Sequence, residues 1–123
     1  MLITFYVPEL FQLLEDFDNQ DFDNFNFGII KMNKQGDIQA YNKYEADLAA
    51  NDQQQVLGKN FFTQIAPCTN NFLVAERYSN LTEELDETLD YIFTYRMRPT
   101  AVTLRLLSNS ISTNQYLIVR LKS

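Results

Sequence analysis

The spacing of hydrophobic positions changes period along the chain, and each change marks an element. Residues 8–15 (PELFQLLE) put apolar side chains on one helical face, with Pro8 in the first turn, where its missing N–H costs nothing. The acidic stretch 16–23 (DFDNQDFD) alternates Asp with Phe and reads as a connector whose phenylalanines tuck beneath it. Residues 27–32 (FGIIKM) read as a strand, 33–37 (NKQGD) as a turn, and 38–41 (IQAY) as a returning strand, together a hairpin. Asn42 then caps a helix over 43–48. Asp52 caps another turn of helix over 53–57, closed by Gly58.

Further on, Val74, Tyr78, Leu81 and Leu85 recur at steps of three and four, one face of a helix. The period then becomes two. Leu89, Tyr91, Phe93, Tyr95 and Met97 fall on one side, Asp90, Thr94, Arg96 and Arg98 on the other, and Pro99 is expected to end this strand. Residues 102–107 and 115–121 make two more strands around a polar loop. Two strands, then helices, then three strands predict an α+β domain: an antiparallel sheet with helices over one face. At 123 residues one domain is expected, with a helical cap segment over 1–24 and a core over 25–123.

Composition narrows the chemistry. There is no histidine, which removes Ser-His-Asp and Cys-His catalysis, a histidine-held haem and the usual zinc sites. Three glycines make no phosphate-binding loop. A net charge of −6 argues against nucleic acid or an anionic membrane as partner. No apolar run reaches the ~18 residues of a membrane span, so the cytoplasm is the expected location.

Two places hold candidate chemistry. Cys68 is the single cysteine, so no internal disulfide can form. It follows Pro67, which disfavours helix at Ala66 and puts the thiol on a loop or a new turn. A thiol there can be a nucleophile, a point of covalent attachment or an inert small hydrophobe. Tyr41 and Glu45, four residues apart, can face the same way. Asn42-x-x-Glu45 also fits a capping box, in which an ionised Glu45 would bond to backbone.

These pieces resemble the photoactive yellow proteins, small light sensors of the PAS superfamily. The resemblance rests on Phe27-Gly28-x-Ile30, Tyr41-Asn42-x-x-Glu45, Gly58-Lys59-Asn60-Phe61-Phe62, Ile65-Ala66-Pro67-Cys68-Thr69 and Tyr91-x-Phe93-x-Tyr95-x-Met97-x-Pro99. It runs from about residue 25 to the C-terminus, with a small deletion after Cys68. It implies a PAS fold with a five-stranded antiparallel sheet. It implies p-coumaric acid joined to Cys68 as a thioester, its phenolate held by Tyr41 and a protonated Glu45. Ile30, Phe61, Phe62, Ile65, Phe93 and Met97 would form apolar walls, and Met97 would assist thermal return to the dark isomer. Light would isomerise the double bond, Glu45 would yield its proton, and the N-terminal segment would loosen as the signal. A separate signalling protein would read that state, with the receptor a monomer or weak dimer and no enzyme.

Two positions depart from the family pattern. Ala49 stands where the family usually has a threonine bonded to the Tyr, and Asn51 where it usually has an arginine over the pocket. Retuned colour and recovery would follow. The alternative is a PAS interaction module that has lost or changed its pigment. A flavin sensor does not match the Ala-Pro-Cys-Thr context, and an enzyme using Cys68 lacks a histidine base.

Overall fold

The computed structural model describes residues 3–79 and 84–122. Its centre is a five-stranded antiparallel sheet in the order β2-β1-β5-β4-β3. The strands are β1 (Gly28–Asn33), β2 (Ile38–Tyr41), β3 (Glu84–Tyr95), β4 (Arg98–Asn109) and β5 (Asn114–Leu121). Before the sheet comes α1 (Leu10–Glu15) and a 3-10 turn over Asn19–Asn24. Between β2 and β3 lie α2 (Lys43–Ala49), α3 (Gln53–Val56), a π-helical turn Phe61–Ile65, a 3-10 turn Pro67–Thr69 and α4 (Ala75–Ser79). Among the described residues no helix is long and apolar enough to cross a membrane.

Local chemistry fixes several boundaries. Asn33 Oδ1 accepts from the N–H groups of Gln35 and Asp37, and Gly36 takes φ 92°, so the β1–β2 hairpin closes as expected. Asp52 Oδ1 accepts from Gln54 N–H and Gln55 N–H at the start of α3. The first helix begins at Leu10 rather than Pro8, because Glu9 sits at φ 58° and cannot be part of a right-handed turn. The expected helix through Leu85 is also corrected: α4 ends at Ser79, Leu85 is in β3, and Leu81 lies outside the described residues. Pro99 does not end a strand but lies inside β4, opposite Thr94. Pairing of β4 with β5 begins only at Val102, so the missing N–H of Pro99 faces no second neighbour. The chain reverses instead at Arg96 and Met97, both at positive φ (51° and 62°).

Both faces of the central strands are covered, by different parts of the chain. Ile30, Met32, Leu104, Leu106, Leu117 and Val119 point to one core, beneath the elements between β2 and β3. Ile29, Leu107, Tyr116 and Ile118 point to the other, where the N-terminal segment adds Phe5, Leu10, Phe11, Leu14 and Phe22. Alternation along a strand divides neighbours between the two cores. The near-continuous apolar runs of β1 and β5 follow from burial on both sides.

Candidate functional site

The site grows from the cap of α2. Asn42 Oδ1 accepts from Glu45 N–H (3.2 Å) and from Ile29 N–H (2.9 Å). In a capping box the Glu side chain would return to the Asn42 N–H. Here that donor is already taken by the carbonyl of Ile29. The Glu45 carboxyl is therefore free to turn inward, and it is completely buried. Oε2 accepts a hydrogen bond from the Tyr95 hydroxyl at 2.7 Å, while Oε1 has no partner. Burial pushes the carboxyl up to about 8, against a smaller lowering by the Tyr95 bond. That shift favours the protonated form at neutral pH. Gly28 makes room for it: a Cβ there would lie 2.3 Å from Oε1.

Tyr41, at the end of β2, is buried, and its hydroxyl accepts from Asn51 Nδ2 at 3.2 Å. Burial, and secondarily the nearby Glu45, raises its phenol well above the ordinary value. Tyr95 is raised for the same leading reason, burial, with Glu45 next and Tyr41 and Cys68 further contributors. A cavity of about 190 Å³ opens beside these groups, lined by Tyr41, Ala49, Asn51, Phe61, Ile65 and Phe93 among others. Thr94, Tyr95 and Arg96 complete it from the end of β3. A larger groove of about 500 Å³ lies between the acidic connector and α3, lined mainly by polar side chains such as Asp18, Asp23, Gln53 and Gln54. Neither Glu45 nor Cys68 lines this groove, and neither lines the smaller cavity, which Glu45 meets only through its bond to Tyr95.

Cys68 lies on the 3-10 turn, half-buried, and packs against the core cluster that contains Tyr41, Phe61, Phe93 and Tyr95. Its carbonyl accepts from the Tyr91 hydroxyl and from Asn71 Nδ2 (3.1 Å). Asn71 Nδ2 also donates to the Tyr91 oxygen at 2.7 Å. The loop is thus tied to β3 next to the thiol. Ile30, Phe61 and Phe62 are buried in the same cluster, with Ile65 packed on it. Met97 differs from the expected wall: it is 93% exposed in the β3–β4 turn, because the strand stops two residues before it.

Sequence reasoning gave Tyr95 no chemical role. The signal was present, since Tyr95 lies two positions beyond Phe93 on the same strand face. Its ring stacks on that of Phe93 at 4.5 Å. Gly28, Tyr91 and Asn71 were likewise given no role in holding the site, and only the fold brings them to Glu45 and Cys68.

The strand order, with the helical segment inserted between β2 and β3, defines a PAS sensor domain. The photoactive yellow protein domain of the sensor histidine kinase Ppr from Rhodospirillum centenum superposes with a TM-score of 0.77 at 29% identity, covering 89% of this chain and 97% of that one. The PAS domain of an HTR-like protein from Haloarcula marismortui shares the fold, with a TM-score of 0.68 at 17% identity over 94% of this chain and all of that one. Photoactive yellow protein of Rhodothalassium salexigens is 33% identical over 107 residues, 85% of this chain and 86% of that protein. That of Rhodobacter capsulatus is 34% identical over 84 residues, 67% of this chain and 68% of its own length. The chain belongs to the photoactive yellow protein family. No family model matches it.

Proposed function

We propose that the chain is a blue-light receptor that carries p-coumaric acid as a thioester on Cys68. The observation that carries the reading is Glu45: a fully buried carboxyl, pushed up to about 8 by burial, whose neighbours Tyr41 and Tyr95 belong to the apolar cluster that Cys68 packs against. A phenol ionises near pH ~10, so holding a phenolate inside a protein calls for strong donors. Tyr41 and a protonated Glu45 are two such donors. The cavity between β2 and the end of β3 offers an apolar slot in Phe61, Ile65 and Phe93. The donor set and the slot fit the pigment. When bound, the pigment supplies light-driven isomerisation of a double bond.

The remaining steps belong to the chain. Glu45 holds a proton on its carboxyl and can release it to an acceptor oxygen in the cavity. The carboxylate left behind is buried, with one oxygen lacking any partner. Such a charge costs several kcal/mol, comparable with the ~5–15 kcal/mol that holds a domain together. Asn42 connects this strain to the N-terminal segment, because its Nδ2 donates to the carbonyls of Phe22 and Phe27 at 2.9 Å each. Loosening of that segment is the proposed signal, read by a separate protein in the cytoplasm. Asn51 bonds Tyr41 but brings no charge; Arg96 lines the cavity and has no ion-pair partner among the described residues. Arg96 is proposed to supply the positive charge that Asn51 does not.

The test is loading of the unpigmented protein with activated p-coumaric acid. A coloured product with a mass gain on Cys68 is expected, lost in Cys68→Ala. Glu45→Gln is expected to keep the adduct, shift its colour and blunt the structural change. An accessible thiol that gains no mass would favour the second reading, a PAS interaction module without pigment, which Ala49 and Asn51 favour.

A further inference from the structure

The Glu45 carboxyl does not itself line the cavity; of its two oxygens only Oε2 meets a cavity-lining side chain. Oε1 lies against the backbone of β1, so close to Gly28 that a single added carbon would collide with it. Oε2 is the oxygen that Tyr95 reaches, and Tyr95 lines the cavity. A ligand's phenol ring seated between Tyr41 and Glu45 would need that same oxygen. The ring of Tyr95 lies nearly parallel to Phe93, at an interplanar angle of 22°, within the slot the ligand would use. Tyr95 is the last residue of β3, followed by two residues held at positive φ. It is therefore placed where a small change in the β3–β4 turn can withdraw it. Non-glycine residues disfavour that conformation, so the turn is not locked by its own preference.

We infer that Tyr95 is an internal phenol that occupies the Glu45 position of the pocket in the empty protein and is displaced by the phenolic ring of the ligand. The inference rests on the pigment reading for its second half. Its first half concerns the chain alone. Exchange of one phenol for another keeps Glu45 bonded before and after loading, so the empty protein holds the same buried acid in the same place. Tyr95 is a positioning residue: it holds the carboxyl ready and restricts entry to ligands whose own hydroxyl can replace it.

The test is infrared spectroscopy of the protonated Glu45 carbonyl near pH 6, assigned by its loss in Glu45→Gln. Tyr95→Phe preserves the ring stack and removes only the hydroxyl. In the empty protein this substitution is expected to move the Glu45 band to higher frequency. In the protein loaded with p-coumaric acid it is expected to leave the band unmoved. Loading is expected to be about three- to ten-fold faster in Tyr95→Phe, the factor for one lost net hydrogen bond. An unmoved band in the empty protein, or an equal move in both forms, would overturn the inference. As a check without substitution, fluorotyrosine-labelled protein should show one buried tyrosine resonance moving to an exposed position on addition of p-coumaric acid. If no pigment attaches, the proposed function fails, and the band in the empty protein still decides whether Tyr95 holds Glu45.

Discussion

Two glutamates, one on each side of the sheet, show how the same side chain can be shifted in opposite directions. Glu45, on the helical side, is fully buried with one donor, and burial drives its carboxyl up to about 8. Glu15, at the end of α1 on the other side, accepts from Ser112 Oγ (2.6 Å), Asn114 Nδ2 (3.0 Å) and the Tyr116 hydroxyl (2.6 Å). Its largest single influence, burial, acts upward, yet the three donors, with the charge of Lys31 adding to them, bring the group below the ordinary value. Donor count against burial decides the charge. On the helical side, burial with a single donor favours the protonated acid. The N-terminal side spends its polar groups on holding the segment down. Arg105 does the same there, donating to the carbonyls of Phe5 (2.9 Å) and Val7 (2.8 Å) while pairing with Asp86.

The comparison can be broken at several points. At a fixed neutral pH the largest effect is expected from Arg105→Met, which leaves two carbonyls and Asp86 without their cation. A loss of about 3 kcal/mol in denaturant unfolding is expected, with early proteolysis before residue 28. Gly28→Ala should cost about 1–3 kcal/mol through overpacking against Glu45 and Val119, and should shift the Glu45 infrared band; an unchanged band would mean the carboxyl does not lie against β1.

Stability against pH separates the two acids by sign. Glu45 binds its proton more tightly folded than unfolded, so its contribution is complete below about pH 4.5 and is lost as pH rises toward about 8. The slope can reach ~1.4 kcal/mol per pH unit, and Glu45→Gln should remove it from urea midpoints measured across that range. Glu15 behaves oppositely: its contribution is present above about pH 4.5 and is lost as pH falls below it. Glu15→Gln should flatten only the acid limb, by less than about 1 kcal/mol, since the group is partly in water.

Local rules made much of the chain readable. Asn42 and Asp52 were legible as caps because a short polar side chain before a helical run has few other uses. The alternation of Tyr91, Phe93 and Tyr95 marked β3 because one face of that strand is buried and the other meets water. Met97 was misread as a continuation of the same alternation. A period of two carries no mark of where pairing stops, and here the turn at Arg96 and Met97 stops it. The capping-box pattern was legible only in half: whether Glu45 returned to the backbone depended on Ile29, thirteen residues upstream of Asn42, taking the competing donor.

By itself, then, the sequence determined the elements, the class of fold, and the residues able to do chemistry: one thiol, one acid four positions from a tyrosine, and no histidine. Periodicity, capping and composition are properties of neighbours along the chain, and a sequence carries them directly. Only the tertiary structure decided that Glu45 is fully buried and its carboxyl pushed upward, that Tyr95 from fifty residues away bonds it, and that Tyr91 ties down the Cys68 loop. Those outcomes depend on burial and on donors that long-range packing brings together.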